Sequence, residues 1–142
     1  MNGKGGASVV IIYDGMILLR PQGKRFQLIG GKSHPNESFL NTAKRETSEE
    51  SGLTLDPERM ELIHTKKDKR NRRHTFFLYR LNETEANSNL VPAKGTKKPL
   101  WRHLFLLSGK KFFWRPYVQA IQRARRILNT NLLSYNPSPA LT

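Results

Sequence analysis

Between Gly31 and Leu53 the chain reads GKSHPNESFLNTAKRETSEESGL, a run of good helix formers opened by the pair Gly30-Gly31 and closed by Gly52. That punctuation constrains the fold more than any other feature. Glycine supplies the left-handed position that ends a helix, and a glycine pair lets the backbone approach another group closely. The same segment gathers Glu37, Glu46, Glu49 and Glu50, four of 11 acidic residues in a chain of net charge +14. Like charges three and four residues apart on an exposed helix repel by about 0.2–0.5 kcal/mol per pair. A helix with glutamates at 46, 49 and 50 therefore needs a compensating charge, and Arg45 alone is too little. A hard divalent cation such as Mg²⁺ supplies one, because it prefers oxygen ligands. Taken alone, the three glutamates read more readily as a solvated helix face.

The flanking sequence places this helix against a sheet. Ala7 to Tyr13 is β-branched and aromatic, Met16 to Arg20 is apolar, and Asp14-Gly15 between them is a dipeptide favoured in two-residue hairpin turns. Phe26 to Ile29 reads as a short buried strand, after a loop over Pro21 to Lys24. On the helix expected over Ser38 to Ser51, Leu40, Ala43, Thr47 and Ser51 form one stripe. The three glutamates fall on an adjoining face within about 100° of one another. Glu61 to Lys66 and His74 to Leu81 read as two more strands joined by a very basic loop, and Asn82 to Pro99 as irregular chain. Leu100 to Leu107 is apolar enough to pack as strand and turn. Pro116 suits the start of a last helix, in which Tyr117, Ala120, Ile121, Ala124 and Leu128 recur at helical spacing. Strands, helix, strands, helix, without internal repeat, argue for a mixed α/β layer structure with helices flanking the sheet.

A length of 142 residues suits one domain, expected over 1–128, with a poorly ordered tail over 129–142. The absence of cysteine excludes disulfides, thiol nucleophiles and thiolate metal sites. Val9 to Tyr13, the longest apolar run near the start, is far too short to span a bilayer, so a cytoplasmic protein with no membrane partner is expected. The excess of 25 Lys plus Arg attracts polyanions and speeds their association without specifying a fold.

The spacing inside the acidic segment is specific. Gly31, five residues, Glu37, seven residues, Arg45-Glu46, then Glu49-Glu50, Gly52 and Leu53 resembles the Nudix box. Only the apolar residue expected after Arg-Glu departs, being Thr47, whose methyl can pack while its hydroxyl bonds a carbonyl of the preceding turn. The resemblance implies a Nudix-type α/β/α sandwich with a mixed sheet. It implies hydrolysis of a pyrophosphate bond in a nucleoside diphosphate linked to another group, with Mg²⁺ or Mn²⁺. On these positions Glu49 and Glu50 would be principal metal ligands and Glu46 a ligand or a base for water. Arg45 would hold the glutamates in place, Glu37 would stabilise the loop or assist at the metal's outer shell, and Gly31 would offer a carbonyl or close approach.

Some members of that family place a further ligand or base well downstream. Here the acids after Asp68 are only Glu83 and Glu85, and the loop from Pro92 to Leu100 carries Lys94, Lys97 and Lys98. The base is therefore expected in the box, with Glu83 or Glu85 folding back as the alternative. Lys66, Lys67, Lys69, Arg70, Arg72 and Arg73 form a basic run, readable as a solvated loop or as a grip on phosphate, which is salt-sensitive and sequence-blind. Lys66, Lys67, Arg70, Arg72 and Arg73 are the substrate-binding candidates. Phe76, Phe77 and Tyr79 read as core; of Trp101, Phe112, Phe113, Trp114 and Tyr117, one or two could stack on a nucleobase. His34, His64, His74 and His103 lack ligand spacing, and Arg123, Arg125 and Arg126 are expected to face solvent. The substrate stays open among nucleotides, other phosphorylated small molecules and RNA. Removal of pyrophosphate from an RNA 5′ end, or RNA or nucleotide binding without turnover, are the alternatives to a small-molecule hydrolase. Oligomeric state is open, a dimer included.

Overall fold

A computed structural model of the chain describes residues 5–93 and 95–134, with side chains up to Asn129. Six strands form one sheet: β1 (Gly5–Tyr13), β2 (Met16–Gln22), β3 (Arg25–Lys32), β4 (Glu61–Lys67), β5 (Arg73–Arg80) and β6 (Leu100–His103). Their order is β4-β5-β1-β3-β2-β6, with β1 also reaching β2. The β1–β5 pair is parallel and the others antiparallel, so the sheet is mixed. The β1–β2 turn forms where Asp14-Gly15 placed it, with φ of 48° and 73° at the two residues, the positive pair that such a turn requires.

Strand alternation divides the core into two layers. Ala7, Val9 and Ile11 of β1 face one side, joined by Ile29, Phe77, Tyr79 and Ala43 of helix α1 (Phe39–Ser51). Val10 and Ile12 face the other, joined by Leu28, Phe76, Leu78 and by Ala120, Ile121 and Ala124 of the last helix, α3 (Arg115–Ser134). The result is an α/β/α sandwich. Burying β1 on both sides, as parallel pairing favours, explains its unbroken apolar run.

The structure departs from the sequence reading in several elements. Strands β2 and β3 run on through Gln22 and from Arg25, leaving a tight turn where a longer loop was expected. A single helical turn, α2 (Glu83–Ala86), forms inside the stretch read as irregular, because Asn82 and Glu85 make a capping box. Helix α3 continues past Leu128 to Ser134; the rest of the tail, 135–142, lies outside the described residues. Arg125 does not face solvent: its guanidinium donates to the Leu104 carbonyl from Nε (3.1 Å) and Nη2, and to the Leu107 carbonyl at 2.7 Å. It thereby ties the chain after β6 to α3. No helix among the described residues is long and apolar enough to cross a membrane.

Candidate active site on helix α1

Helix α1 is fixed at both ends by its own sequence. The Ser38 hydroxyl accepts from the Asn41 N–H at 3.0 Å, and Gly52, at φ 80°, donates its N–H to the Ser48 carbonyl at 2.8 Å. The last-turn carbonyls are not left to water. Ala93 N–H donates to the Glu49 carbonyl (2.7 Å) and Val91 N–H to that of Ser51 (3.0 Å). Leu40, Ala43, Thr47 and Ser51 turn inward as the periodicity indicated. Thr47 departs in one respect: its Oγ1 is buried without a hydrogen-bond partner, so the expected bond to a carbonyl of the preceding turn is not made.

Arg45 lies at the centre of the acidic face. Nε and Nη2 grip both oxygens of Glu37 (2.8 and 3.0 Å), Nη1 donates to Glu46 (2.9 Å), and Glu49 lies at 3.4 Å. Nη2 also donates to the Lys32 carbonyl at 2.9 Å, tying the helix to the end of β3. Glu37 additionally accepts from His34 N–H (2.9 Å) and the Thr42 hydroxyl (2.8 Å). The Arg45 bond, helped by these two donors against partial burial, holds the Glu37 carboxyl down at about 2. The Arg45 guanidinium is raised in turn, chiefly by Glu37.

The other carboxylates divide. Glu46 lies against Gly31: a Cβ there would come within 2.5 Å of its carboxyl carbon. Glu50, only 6% exposed, accepts from Gly30 N–H at 2.8 Å and pairs with Arg20 of β2 at 3.0 Å. Burial, opposed by Gly30 and Arg20 and reinforced by the neighbouring Glu46, pushes the Glu50 carboxyl up to about 8. The Glu49 side chain stays 50% exposed. Arg20 is the second compensating cation that the sequence demanded without identifying. Its place opposite Glu50 depends on β2 lying beside β3, and no local pattern gives that pairing.

Beside this cluster opens a cleft of about 650 Å³. Gly5, Gly6 and Gly31 contribute bare backbone to it, and Lys32 and Ser33 continue from β3. The β4–β5 hairpin contributes Lys66, Arg70, Arg72 and Arg73, while Trp114 and Tyr117 come from the start of α3. His74 also lines it, bonded through Nε2 to the Ser8 hydroxyl at 2.8 Å and edge-on to Trp114 at 5.0 Å. Burial lowers His74 to about 4, so it is neutral near pH 7.

The donor set around α1 is all oxygen, the chemistry of a hard divalent cation, and the missing Gly31 side chain leaves room for Glu46 beside it. As the side chains stand, no three acidic, histidine or cysteine groups among the described residues converge on one point. Glu46 and Glu49 are turned to Arg45 and Glu50 to Arg20. In ligand type and crowding the residues fit Mg²⁺ or Mn²⁺.

A family model described as the NUDIX domain matches residues 3–107. The chain belongs to the Nudix family. No protein of curated function matches it. Among solved structures, a MutT/nudix family protein from Enterococcus faecalis is 19% identical at a TM-score of 0.67, over 91% of this chain and 63% of that one. This chain therefore spans under two thirds of that relative's length. An Ap4A hydrolase from C. elegans is 18% identical at 0.68, over 88% of this chain and 98% of that one. A MutT NUDIX hydrolase from Burkholderia pseudomallei is 21% identical at 0.66, over 87% and 98%. At these identities the likeness shows the fold.

Within this Nudix fold, Gly31, Glu37, Arg45, Glu46, Glu49 and Glu50 gather as one group. Of the basic candidates, Lys66, Arg70, Arg72 and Arg73 line the cleft and Lys67 does not, because successive residues of β4 point to opposite faces. Glu85 is occupied elsewhere: Arg59 grips both its oxygens (2.8 and 3.1 Å), and the Tyr79 hydroxyl and Asn82 N–H donate to it at 2.9 Å. Glu83 is exposed on α2. Lys97 and Lys98 are exposed, and Lys94 lies outside the described residues. Phe76, Phe77 and Tyr79 are core, as read from the sequence. Arg20, His74 and Lys32 were not singled out as site residues by sequence; only the unpaired charge of the helix pointed towards a group such as Arg20.

Proposed function

We propose that the chain hydrolyses a pyrophosphate bond in a nucleoside diphosphate linked to another group, using Mg²⁺ or Mn²⁺ held by Glu46, Glu49 and Glu50. The observation that carries this reading is the crowding of Glu46 and Glu50 at the end of β3. Glu46 lies against Gly31, and the buried Glu50 accepts from Gly30 N–H beside it at 2.8 Å. Carboxylates crowded on one another are stabilised by a hard cation between them. Held by Glu46, Glu49 and Glu50, such a cation would supply charge to the phosphate oxygens and would lower the pKa of water towards neutrality.

The chain's own residues do the rest. Arg45 orients Glu46 and Glu49 from one side, and Glu37 acts through Arg45, since its oxygens already accept from Arg45, Thr42 and His34. Glu46 serves as a metal ligand or takes the proton of the attacking water; Glu85, bound to Arg59 and Tyr79, supports a base within the box. Lys66, Arg70, Arg72 and Arg73 offer charge to the phosphates from the hairpin side of the cleft. The test is a screen of nucleotide sugars, dinucleoside polyphosphates, nucleoside triphosphates and triphosphorylated RNA with Mg²⁺ or Mn²⁺, read as phosphate release after coupling. Hydrolysis that stops on chelation supports the reading. Tight binding with no turnover of any of them would leave a binding module in its place.

A further inference from the structure

The hairpin cations exceed what the box requires. Asp68, the one acid among the described residues that line the cleft, is consumed within its own turn: Oδ1 accepts from Arg70 and Arg72 N–H at 2.9 Å, and Oδ2 from Arg72 Nε at 2.7 Å. It neutralises Arg72 and, with Asn71 at φ 66°, folds the loop back on itself. Among the described residues, Lys32, Lys66, Arg70 and Arg73 then line the cleft with no carboxylate paired to any of them. All four are exposed, so their mutual repulsion is screened, but together they set a positive field along one cleft that favours an anion. Gly5 and Gly6 line the cleft with backbone alone. The space a Cβ would take there is filled by the Arg73 and Gly31 carbonyls of the neighbouring strands, so these glycines answer to sheet packing.

The cleft begins at the carboxylates, since Gly31 touches Glu46 and the Lys32 carbonyl receives Arg45. On the hydrolytic reading, the two phosphates of the cleaved anhydride would lie at that end. The remaining wall calls for more negative charge further along the same molecule, and its volume of about 650 Å³ falls within the usual range for ligand sites. We propose that the cleft selects substrates in which the cleaved anhydride belongs to a chain of three or more phosphates, held by Lys32, Lys66, Arg70 and Arg73. This rests on the hydrolytic reading above and narrows its substrate. Cleavage adds one water: a P–O bond forms to the water oxygen as its proton passes to a carboxylate of the box, the bridging P–O bond breaks, and the leaving phosphate keeps its electron pair.

The experiment is calorimetric binding of inorganic pyrophosphate and inorganic tetrapolyphosphate to the whole chain without metal, followed by turnover of dinucleoside polyphosphates bridged by two or four phosphates with Mg²⁺. Tetrapolyphosphate is expected to bind about tenfold or more tighter, the ratio one additional charge-assisted hydrogen bond supplies. Lys66→Ala with Arg70→Ala should remove most of that preference and raise KM for the longer substrate more than it changes kcat. Arg126→Ala, which removes an exposed charge on α3 away from the cleft, should keep it. A 5′-triphosphorylated oligoribonucleotide and a free nucleoside triphosphate separate an RNA end from a small nucleotide as the source of the chain. An oligoribonucleotide with a single 5′-phosphate that binds as tightly overturns the proposal. Equal affinity for the two inorganic probes overturns it too, as does a preference that survives the double variant. A preference for length without turnover of any substrate sinks the hydrolytic reading instead, and turnover indifferent to length sinks only the inference.

Discussion

Gly31→Ala isolates the contact between strand and helix on which the site depends. An added Cβ would lie 2.5 Å from the Glu46 carboxyl carbon and 2.7 Å from both its oxygens, against an ordinary contact of at least 3.4 Å. The carboxyl group must therefore move by the difference, 3.4 − 2.5 = 0.9 Å. Glu46 cannot simply swing away, since Arg45 Nη1 holds it at 2.9 Å and Glu50 lies alongside. A displacement near 1 Å of a group that orients the reaction costs on the order of 10²-fold in rate. Stability should change little, because the colliding atoms end a side chain that is partly exposed, and such substitutions cost about 1 kcal/mol. The assay pairs kcat at saturating Mg²⁺ with a thermal melt. Wild-type turnover in Gly31→Ala would refute the placement of Glu46, and an unfolded protein would show that the strand end, not the carboxylate, is what the glycine protects.

Other outcomes follow from the same geometry. Thr47→Val keeps the shape and removes a buried hydroxyl without a partner, so it should stabilise the chain by about 1–3 kcal/mol in denaturant unfolding; loss of stability would mean the hydroxyl is satisfied. Glu50 is raised from 4.5 to about 8 by burial. An acid whose folded value is raised contributes stability present below its unfolded value and lost as pH rises through the folded one. Buried His74, lowered from 6.5 to about 4, gains stability over that range and offsets Glu50 there, so the metal-free chain should weaken from about pH 6.5 up to about 8; Glu50→Gln should flatten that slope, and added Mg²⁺ should stabilise more near the upper end. Melts that do not depend on pH across that window would contradict the burial argument. Arg125→Met removes the donors to Leu104 and Leu107 and should cost about 2–4 kcal/mol in the same unfolding measurement.

Much of this was readable along the chain where the cause is local. Asp14-Gly15 specified its turn, Ser38 and Gly52 bracketed α1, and the spacing from Gly31 to Leu53 named the box. The capping box of α2 was readable as well, in Asn82 followed by Glu85, though it was hidden in a polar stretch. What escaped depends on partners far apart in sequence. Arg20 reaches Glu50 only after β2 and β3 pair, and Arg125 meets Leu104 and Leu107 only once α3 docks. Lys66 and Lys67 look alike in sequence, and only the register of β4 turns one of them to the cleft. The unbonded Thr47 hydroxyl is of another kind: its expected partner was local, and the side-chain rotamer leaves the bond unmade.

The most direct test of a metal-assisted reaction at the box is the kcat of Glu49→Gln on its substrate at saturating Mg²⁺. The Glu49 side chain is half exposed and touches Arg45 only at 3.4 Å, so the change leaves fold and cleft intact. A fall on the order of 10²-fold or more, with an unchanged melt, is the predicted result, as for the loss of one preorganised electrostatic contact. Wild-type turnover would contradict the account.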